Sequence, residues 1–425
     1  MQQKKSLTLR HNFSWAFTGN AVYAACQWGM LVVLAKLGSP KMVGQLALGL
    51  AIAAPIVAFT NLQLRSVQAT DVKKQYCFSD YLGLRLISTA LALLVIAVIS
   101  LSGGYAWETS LVIFLVGLAK VLESISDVFY GLMQQHKRVD KIAVSLIMKG
   151  FLSLLLLSIG VYQSSNILWG VTGLVFAWAV VLISYDIFNG VLVLKHLSQL
   201  QPRWKHPILA KLVWLCLPLG FVMMLVSLNN NIPRYFIEQY LGEEQLGIFA
   251  AIAYLMVIGG MLVNALGESV SPWLAKYYAA GDAIAFRTLL LKLVGVASLL
   301  GGAIVLVALV AGGQILTFLY QPEYAEQTNL FVWLMVAAGI SYVSSCLGYA
   351  MTAAKYFCIQ VPMFLAVAVI SPIACIWLLP YMGLLGAAIA LIIAATVQTV
   401  MNLGAVIHSL HKLDSKNLNP STRLS

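Results

Sequence analysis

The chain has 425 residues, 61% hydrophobic and 10% charged, with 26 Lys and Arg against 15 Asp and Glu for a formal charge of +11. Soluble domains carry about 25% charged and about 45–50% apolar residues, so this composition excludes a water-soluble globular protein and places the chain in a bilayer. The positive balance then reads as membrane topology and attraction to anionic headgroups; nucleic acid is not expected as a partner, because no soluble basic domain exists to hold it.

The first apolar run, near 13–36, is too long for a signal-peptide core and runs on without a small-residue cleavage site. It is therefore predicted to be the first transmembrane helix. Asn20, Tyr23 and Gln27 recur in it at spacings of three and four, so they share one face. That face either meets another helix through hydrogen bonds or borders a polar passage. Further runs follow near 42–64, 82–101, 109–134, 142–162 and 167–194, and a second set near 208–237, 245–273, 288–312, 324–353, 356–379 and 382–408. Runs of about 20 residues cross roughly 30 Å of hydrocarbon, so the expected fold class is an all-α polytopic membrane protein with about twelve transmembrane helices.

Orientation follows from the cations. If Lys4, Lys5 and Arg10 are cytoplasmic, every second loop should be too. Those loops hold Arg65/Lys73/Lys74, Lys137/Arg138/Lys141, Lys195/Arg203/Lys205, Lys276/Arg287, Lys355 and the tail Lys412/Lys416/Arg423. Only Lys36 and Lys41 fall on the other side, where Glu108, Glu238, Glu243, Glu244, Glu323 and Glu326 collect. This is the positive-inside bias, and it predicts cytoplasmic termini.

The fourth run ends in KVLESISDVFYGLMQQHKR, residues 120–138. Lys120, Glu123 and Asp127 fall within about 60° of one another at 100° per residue, with Gln134 close by, so they form one polar stripe on a helix. An ionisable group at mid-bilayer costs about 2.5–3.5 kcal/mol on insertion scales, so the stripe must face a partner or water. Two readings stand: the carboxylates satisfy Lys120 and Lys149 of the fifth run as internal ion pairs, or the stripe lines a wet passage.

Asp186 in the sixth run, Arg234 in the seventh and Glu268 in the eighth are also intramembrane charges, with Arg85 and Lys292 nearer the cytoplasmic ends of the third and ninth. Asn229, Asn230 and Asn231 precede Pro233, which removes a backbone donor, so the seventh helix should kink or break there. Arg234 follows directly; it either snorkels to headgroups or offers a guanidinium to a phosphate.

The cysteines Cys26, Cys77, Cys216, Cys346, Cys358 and Cys375 form no CxxC, and His408 with His411 has no carboxylate company, so neither disulfides nor a metal is expected. No P-loop pattern occurs, which removes ATP as a direct drive, and no cofactor is implied.

The two sets of six echo each other. Val43-Gly44 opening the second run matches Leu246-Gly247 opening the eighth. Gly170-x-x-Gly173 with Ala177 matches Gly383-x-x-Gly386 with Ala390, and Tyr130-Gly131 matches Gly348-Tyr349. With six helices per copy the halves must share an orientation, which predicts a pseudo-two-fold along the membrane normal and a cavity between lobes. The lobes are expected at 1–200 and 201–425, joined by the polar, proline-bearing segment 195–207.

Lys120-x-x-Glu123-Ser-x-Ser-Asp127-x-x-Tyr130-Gly131-x-x-Gln134, with Pro233-Arg234-Tyr-Phe-Ile before Leu246-Gly247-Ile-Phe-Ala, resembles the polysaccharide-biosynthesis (O-antigen and capsule) flippases of the multidrug/oligosaccharidyl-lipid/polysaccharide (MOP) exporter superfamily. The resemblance covers nearly the whole chain. It implies a bacterial inner-membrane protein of two six-helix lobes that moves an undecaprenyl-diphosphate-linked oligosaccharide from the cytoplasmic to the periplasmic leaflet by alternating access. The implied partners are that substrate, membrane lipids and other polysaccharide-assembly proteins.

It further implies that Lys120, Lys149 and Arg234 contact the diphosphate or acidic sugars. Asn20, Tyr23, Gln27, Asn230 and Asn264 are candidates for binding the sugars, and Glu123, Asp127 and Glu268 for coupling transport to protons or sodium. The alternatives are a drug/cation antiporter, which would centre on a carboxylate, and a peptidoglycan-precursor flippase, whose relatives commonly carry further helices. A membrane glycan polymerase or ligase is a distant third, because the longest outer connection, 314–326, is short for a catalytic platform. The chain is not expected to be an enzyme.

Overall fold

The computed structural model describes residues 9–71, 73, 75–194 and 200–418. Lys4, Lys5, Lys74, Lys195 and Arg423, which the orientation argument uses, lie outside the described residues, as does the first part of the predicted linker. The described residues are helical, without a strand. In chain order the helices are α1 (Leu9–Leu37), α2 (Pro40–Thr60), the short α3 (Leu64–Thr70), α4 (Phe78–Ser102), α5 (Trp107–Gln135), α6 (Val139–Ser164) and α7 (Ile167–Val181). A π-turn over Leu182–Ile187 carries α7 into α8 (Phe188–Leu194). Then come α9 (His206–Ala280), α10 (Ala283–Leu319), α11 (Pro322–Ala325), α12 (Thr328–Ala353), α13 (Phe357–Met382) and α14 (Leu384–Leu418).

Local sequence starts these helices in familiar ways. Ser39 caps α2, accepting from the Met42 N–H, and Pro40 sits at its first position, where the missing donor costs nothing. The Asp80 carboxylate accepts from the Cys77 N–H at 2.9 Å to open α4, and Asp282 accepts from the Ala285 N–H at 2.9 Å to open α10.

Ten helices among the described residues are long and apolar enough to cross a membrane by length and composition. The ten do not include α5, which is 29 residues long and carries the ionisable stripe in its interior. One of the ten, α9, has helical backbone throughout except at Gly242, whose φ of 85° lies in the left-handed region that glycine enters without steric cost. The seventh predicted span, 208–237, therefore does not break at Asn229–Pro233; the break comes at Gly242, in the connection expected between the seventh and eighth spans. Pro233 costs α9 one backbone hydrogen bond and leaves its helical dihedrals intact, and the Asn231 amide donates back to the Ser227 carbonyl at 2.8 Å.

The chain divides into two compact units, residues 1–231 and 232–425. In the first, the start of α9 joins the core: Leu209, Leu212 and Cys216 pack with Leu62, Tyr81, Phe129, Met133 and Leu182. The apolar face that follows the polar linker is thus buried against the helices before it. In the second unit, Leu274, Phe286, Leu290, Leu347 and Met351 form one cluster, and Val263, Leu293, Ala338 and Tyr342 another. Leu101, Phe176, Leu299, Val310 and Phe318 are exposed, as lipid-facing side chains must be.

Each unit uses the same pairings. In the first, α4 packs on α5, α5 on α7 and α6 on α7; in the second, α10 packs on α12, α12 on α14 and α13 on α14. By position these are the third predicted span on the fourth, the fourth on the sixth and the fifth on the sixth. The second glycine of the echo has one cause in both. A Cβ at Gly173 would lie 2.8 Å from the Leu156 carbonyl oxygen across the α6–α7 hairpin, and a Cβ at Gly386 would overlap the Leu378 carbonyl across α13–α14. Only glycine lets these backbones meet.

Candidate functional site

The stripe on α5 exists and divides between two ionic clusters, with a third beside it, all inside the N-terminal unit. In the first, Lys120 Nζ lies 2.9 Å from Glu123 Oε2, and the Tyr23 hydroxyl on α1 donates to Glu123 Oε1 at 2.8 Å. The Lys120 ammonium also sits 5.1 Å from the ring centre of Trp178 on α7. Gln27, one turn beyond Tyr23, approaches the same hydroxyl. The face of α1 reaches the stripe because a Cβ at Gly19 would fall 2.7 Å from the Ala143 Cα, and one at Gly150 3.1 Å from the Cys26 Cβ, so α1 and α6 pack backbone to backbone. Asn20, on the same helix, is exposed and donates to its own Ala16 carbonyl at 2.8 Å.

The second cluster centres on Asp127. Arg65 Nη1 is 3.2 Å from one carboxylate oxygen and Arg85 Nη2 3.5 Å from the other. Arg85 is fully buried and also donates to the Asn61 side chain. Arg65 Nε donates to Gln134 at 3.2 Å, which ties the end of the stripe into the cluster.

The third cluster is dry. Lys149 Nζ lies 3.1 Å from Asp186 Oδ2, with side-chain exposures of 1% and 0%. The ammonium donates to the Tyr130 hydroxyl at 2.9 Å, that hydroxyl meets Ser145 Oγ at 2.8 Å, and Ser145 donates to Asp186 Oδ1 at 2.6 Å. Asp186 comes from the π-turn, a distortion that recurs where a helix must aim one side chain. Tyr130 lies between the second and third clusters: its ring centre is 5.5 Å from the Arg65 guanidinium carbon and 5.0 Å from Lys149 Nζ.

The carboxylates of the stripe thus do not pair with Lys149. Its partner is Asp186, and because the pair is enclosed, Lys149 presents no surface to a ligand in this conformation. Lys120 and Glu123 keep side-chain exposures of 24% and 28%. This pair is thus open at its edge, where the third cluster is sealed.

In the C-terminal unit, Arg234 is half-buried and sits near the Tyr235 and Tyr254 side chains. Asn264 and Glu268 are exposed on α9, Glu268 near Tyr349, and Asn230, on the same helix in the first unit, is exposed as well. Among the described residues no three His, Cys, Asp or Glu side chains gather as a metal site would require.

Arg65 and Arg85 are the functional candidates that sequence reasoning passed over. Arg65 reads as an ordinary loop cation, and Asp127 lies 62 residues away. No helical spacing connects them.

The sequence model of the polysaccharide biosynthesis protein family matches residues 9–278. The chain belongs to that family. The capsular polysaccharide biosynthesis protein CapF of Staphylococcus aureus is similar to it throughout, 30% identical over 398 residues that cover 92% of this chain and 97% of CapF. Among solved structures, an inward-facing multidrug-resistance MATE transporter of the MOP superfamily superposes with a TM-score of 0.69 at 13% identity, covering 95% of this chain and 99% of that one. The lipid II flippase MurJ, in an inward closed conformation, superposes with a TM-score of 0.71 at 13% identity, covering 95% and 90%. These two establish a shared fold. The family member described here is accordingly a multi-pass membrane protein with the MOP fold, as the resemblance in its motifs implies.

Proposed function

We propose that this protein is a flippase that carries an undecaprenyl-diphosphate-linked oligosaccharide, an O-antigen or capsule repeat unit, from the cytoplasmic to the periplasmic leaflet of a bacterial inner membrane. The observation that carries the reading is the part-exposed ionic stripe of α5, in a chain of the MOP fold that belongs to the polysaccharide biosynthesis family. A diphosphate with a string of hydroxyls cannot cross hydrocarbon unaided, whereas a polyprenyl tail can stay in lipid. The protein need supply only a polar path for the head, opened alternately to each face, with both termini in the cytoplasm. Lys120 and Arg234 offset the desolvation of the diphosphate, and Tyr23, Gln27 and Asn264 hydrogen-bond the sugars. Glu123, Asp127 or Glu268 couples the cycle to protons or sodium, an assignment that unchanged transport after collapse of both gradients would remove. No covalent chemistry is assigned to the protein.

Deleting the gene should strand lipid-linked repeat units on the inner leaflet. A normal surface polysaccharide in a deletion strain with no second exporter contradicts the assignment. With insertion verified, the double variant Lys120→Ala/Arg234→Ala should restore less than about one-tenth of the wild-type polysaccharide, since each lost charge-assisted contact is worth about 1.5–3 kcal/mol. Full complementation would mean that these cations do not meet the load. A peptidoglycan precursor has the same anchor and diphosphate; rescue of a strain lacking its lipid II flippase would favour that reading.

A further inference from the structure

The three clusters differ in their charge balance. Lys120 is matched by Glu123 and Lys149 by Asp186, so neither lysine adds net charge to its surroundings. Asp127 alone is shared by two cations, Arg65 and Arg85, which leaves one positive charge in excess. Arg85 is fully enclosed and fixed by Asn61 and Asp127. Arg65 is the accessible member, with a side-chain exposure of 36%, and its Nη2 has no protein partner among the described residues.

The backbone spends strain to put Arg65 there. Leu62 and Gln63 are consecutive non-glycine residues in the left-handed region, with φ of 50° and 51°, and Leu62 is buried. Side chains crowd the carbonyl in that conformation, so it persists only where neighbours hold it. Here the turn folds α3 back onto α5. The Gln135 side-chain amide donates to the Gln68 carbonyl at 2.5 Å, and Gly131 leaves room where any side chain would overlap Gln68. The product of this geometry is a guanidinium held over Tyr130, against Asp127, at the Gln134 end of the stripe.

We infer that Arg65 is the docking group for the diphosphate of the lipid-linked cargo, and that Asp127 is the partner it gives up on binding. The inference rests on the flippase reading and adds to it the residue that first takes the anion. A guanidinium fork matches two phosphate oxygens, and Arg65 has donors to spare. When it turns to the phosphate, Asp127 keeps Arg85, so no carboxylate is left uncompensated. That is the use of two arginines on one carboxylate. Lys120 lies seven residues back along the same face, roughly 10 Å at 1.5 Å per residue, so a head released by Arg65 has its next cation two turns along α5.

The test uses the purified full-length protein in detergent with farnesyl diphosphate as the probe, farnesol as the phosphate-free control, and Arg65→Gln, Arg65→Lys and Asp127→Asn as variants. The wild type should bind farnesyl diphosphate and not farnesol. Arg65→Gln should weaken binding about 10- to 100-fold. Arg65→Lys should fall between, and Asp127→Asn, which frees both guanidiniums, should tighten it. Excess phosphatidylglycerol should not displace the probe. Equal binding by Arg65→Gln and the wild type overturns the inference alone, as does a loss in Asp127→Asn equal to that in Arg65→Gln. Displacement by phosphatidylglycerol also overturns it and reassigns the arginines to ordinary lipid headgroups. A wild type that does not bind farnesyl diphosphate overturns the inference as well, while the flippase reading stands or falls on leaflet transfer of the full lipid-linked oligosaccharide.

Discussion

Replacing Lys149 by alanine should destabilise the N-terminal unit by about 3–5 kcal/mol, the cost of leaving a buried charge without its partner. Asp186 has an exposure of 0%, and Lys149 is the only cation within ion-pairing distance of it among the described residues. The same change strips the Tyr130 hydroxyl of its charged donor. A melting curve of the purified variant in detergent measures the effect. The double replacement Lys149→Met/Asp186→Leu should recover most of the loss, because a well-packed apolar pair of similar volume replaces an ion pair at little cost. An Lys149→Ala variant that melts with the wild type would show that the pair is not a structural tie, and would return Lys149 to the set of ligand-binding candidates.

The glycines at the two hairpins should be nearly as intolerant. Gly173→Val and Gly386→Val each drive a side chain into a backbone carbonyl, Leu156 and Leu378 respectively, which cannot rotate aside as a side-chain tip can. Overpacking of this kind costs about 1–3 kcal/mol where neighbours can shift and more where they cannot. Gly404, in the second half of α14 with open space around its Cβ position, is the control. If Gly404→Val and Gly386→Val lose the same stability, close approach is not the reason for the glycine, and the echo between the two halves has no packing content.

That echo illustrates which features could be read in the sequence. Gly170-x-x-Gly173 and Gly383-x-x-Gly386 are local strings, and the contact each makes is with the adjacent helix of a hairpin, so a repeat in sequence maps directly onto a repeat in packing. The polar stripe of α5 was legible for the same reason: helical periodicity alone brings Lys120, Glu123 and Asp127 to one face. Partners across helices were not. Asp127 meets Arg65 and Arg85 from α3 and α4, and Lys149 meets Asp186 from a π-turn that no periodic reading anticipates. Charge pairing between helices is decided by how they pack, and a polar residue in a membrane span announces only that a partner exists.

Pro233 shows the opposite error. A proline after three asparagines looks like a break, yet the helix absorbs it and turns at Gly242, where the backbone requires a positive φ. The positively charged loops carried a similar ambiguity. Arg65 counted toward orientation, but α3 folds it against Asp127, because a residue just beyond an apolar run can be drawn back to a buried carboxylate when the turn allows it.

The most direct test of the central claim is leaflet transfer in proteoliposomes. A fluorescent polyprenyl-diphosphate oligosaccharide is placed in both leaflets, and a membrane-impermeant quencher reports how fast the inner pool reaches the outside. The account predicts that transfer requires the protein, fails for the same lipid lacking its diphosphate, and drops by at least about tenfold in Lys120→Ala/Arg234→Ala. Equal transfer with and without protein, or equal transfer of the diphosphate-free lipid, would contradict it.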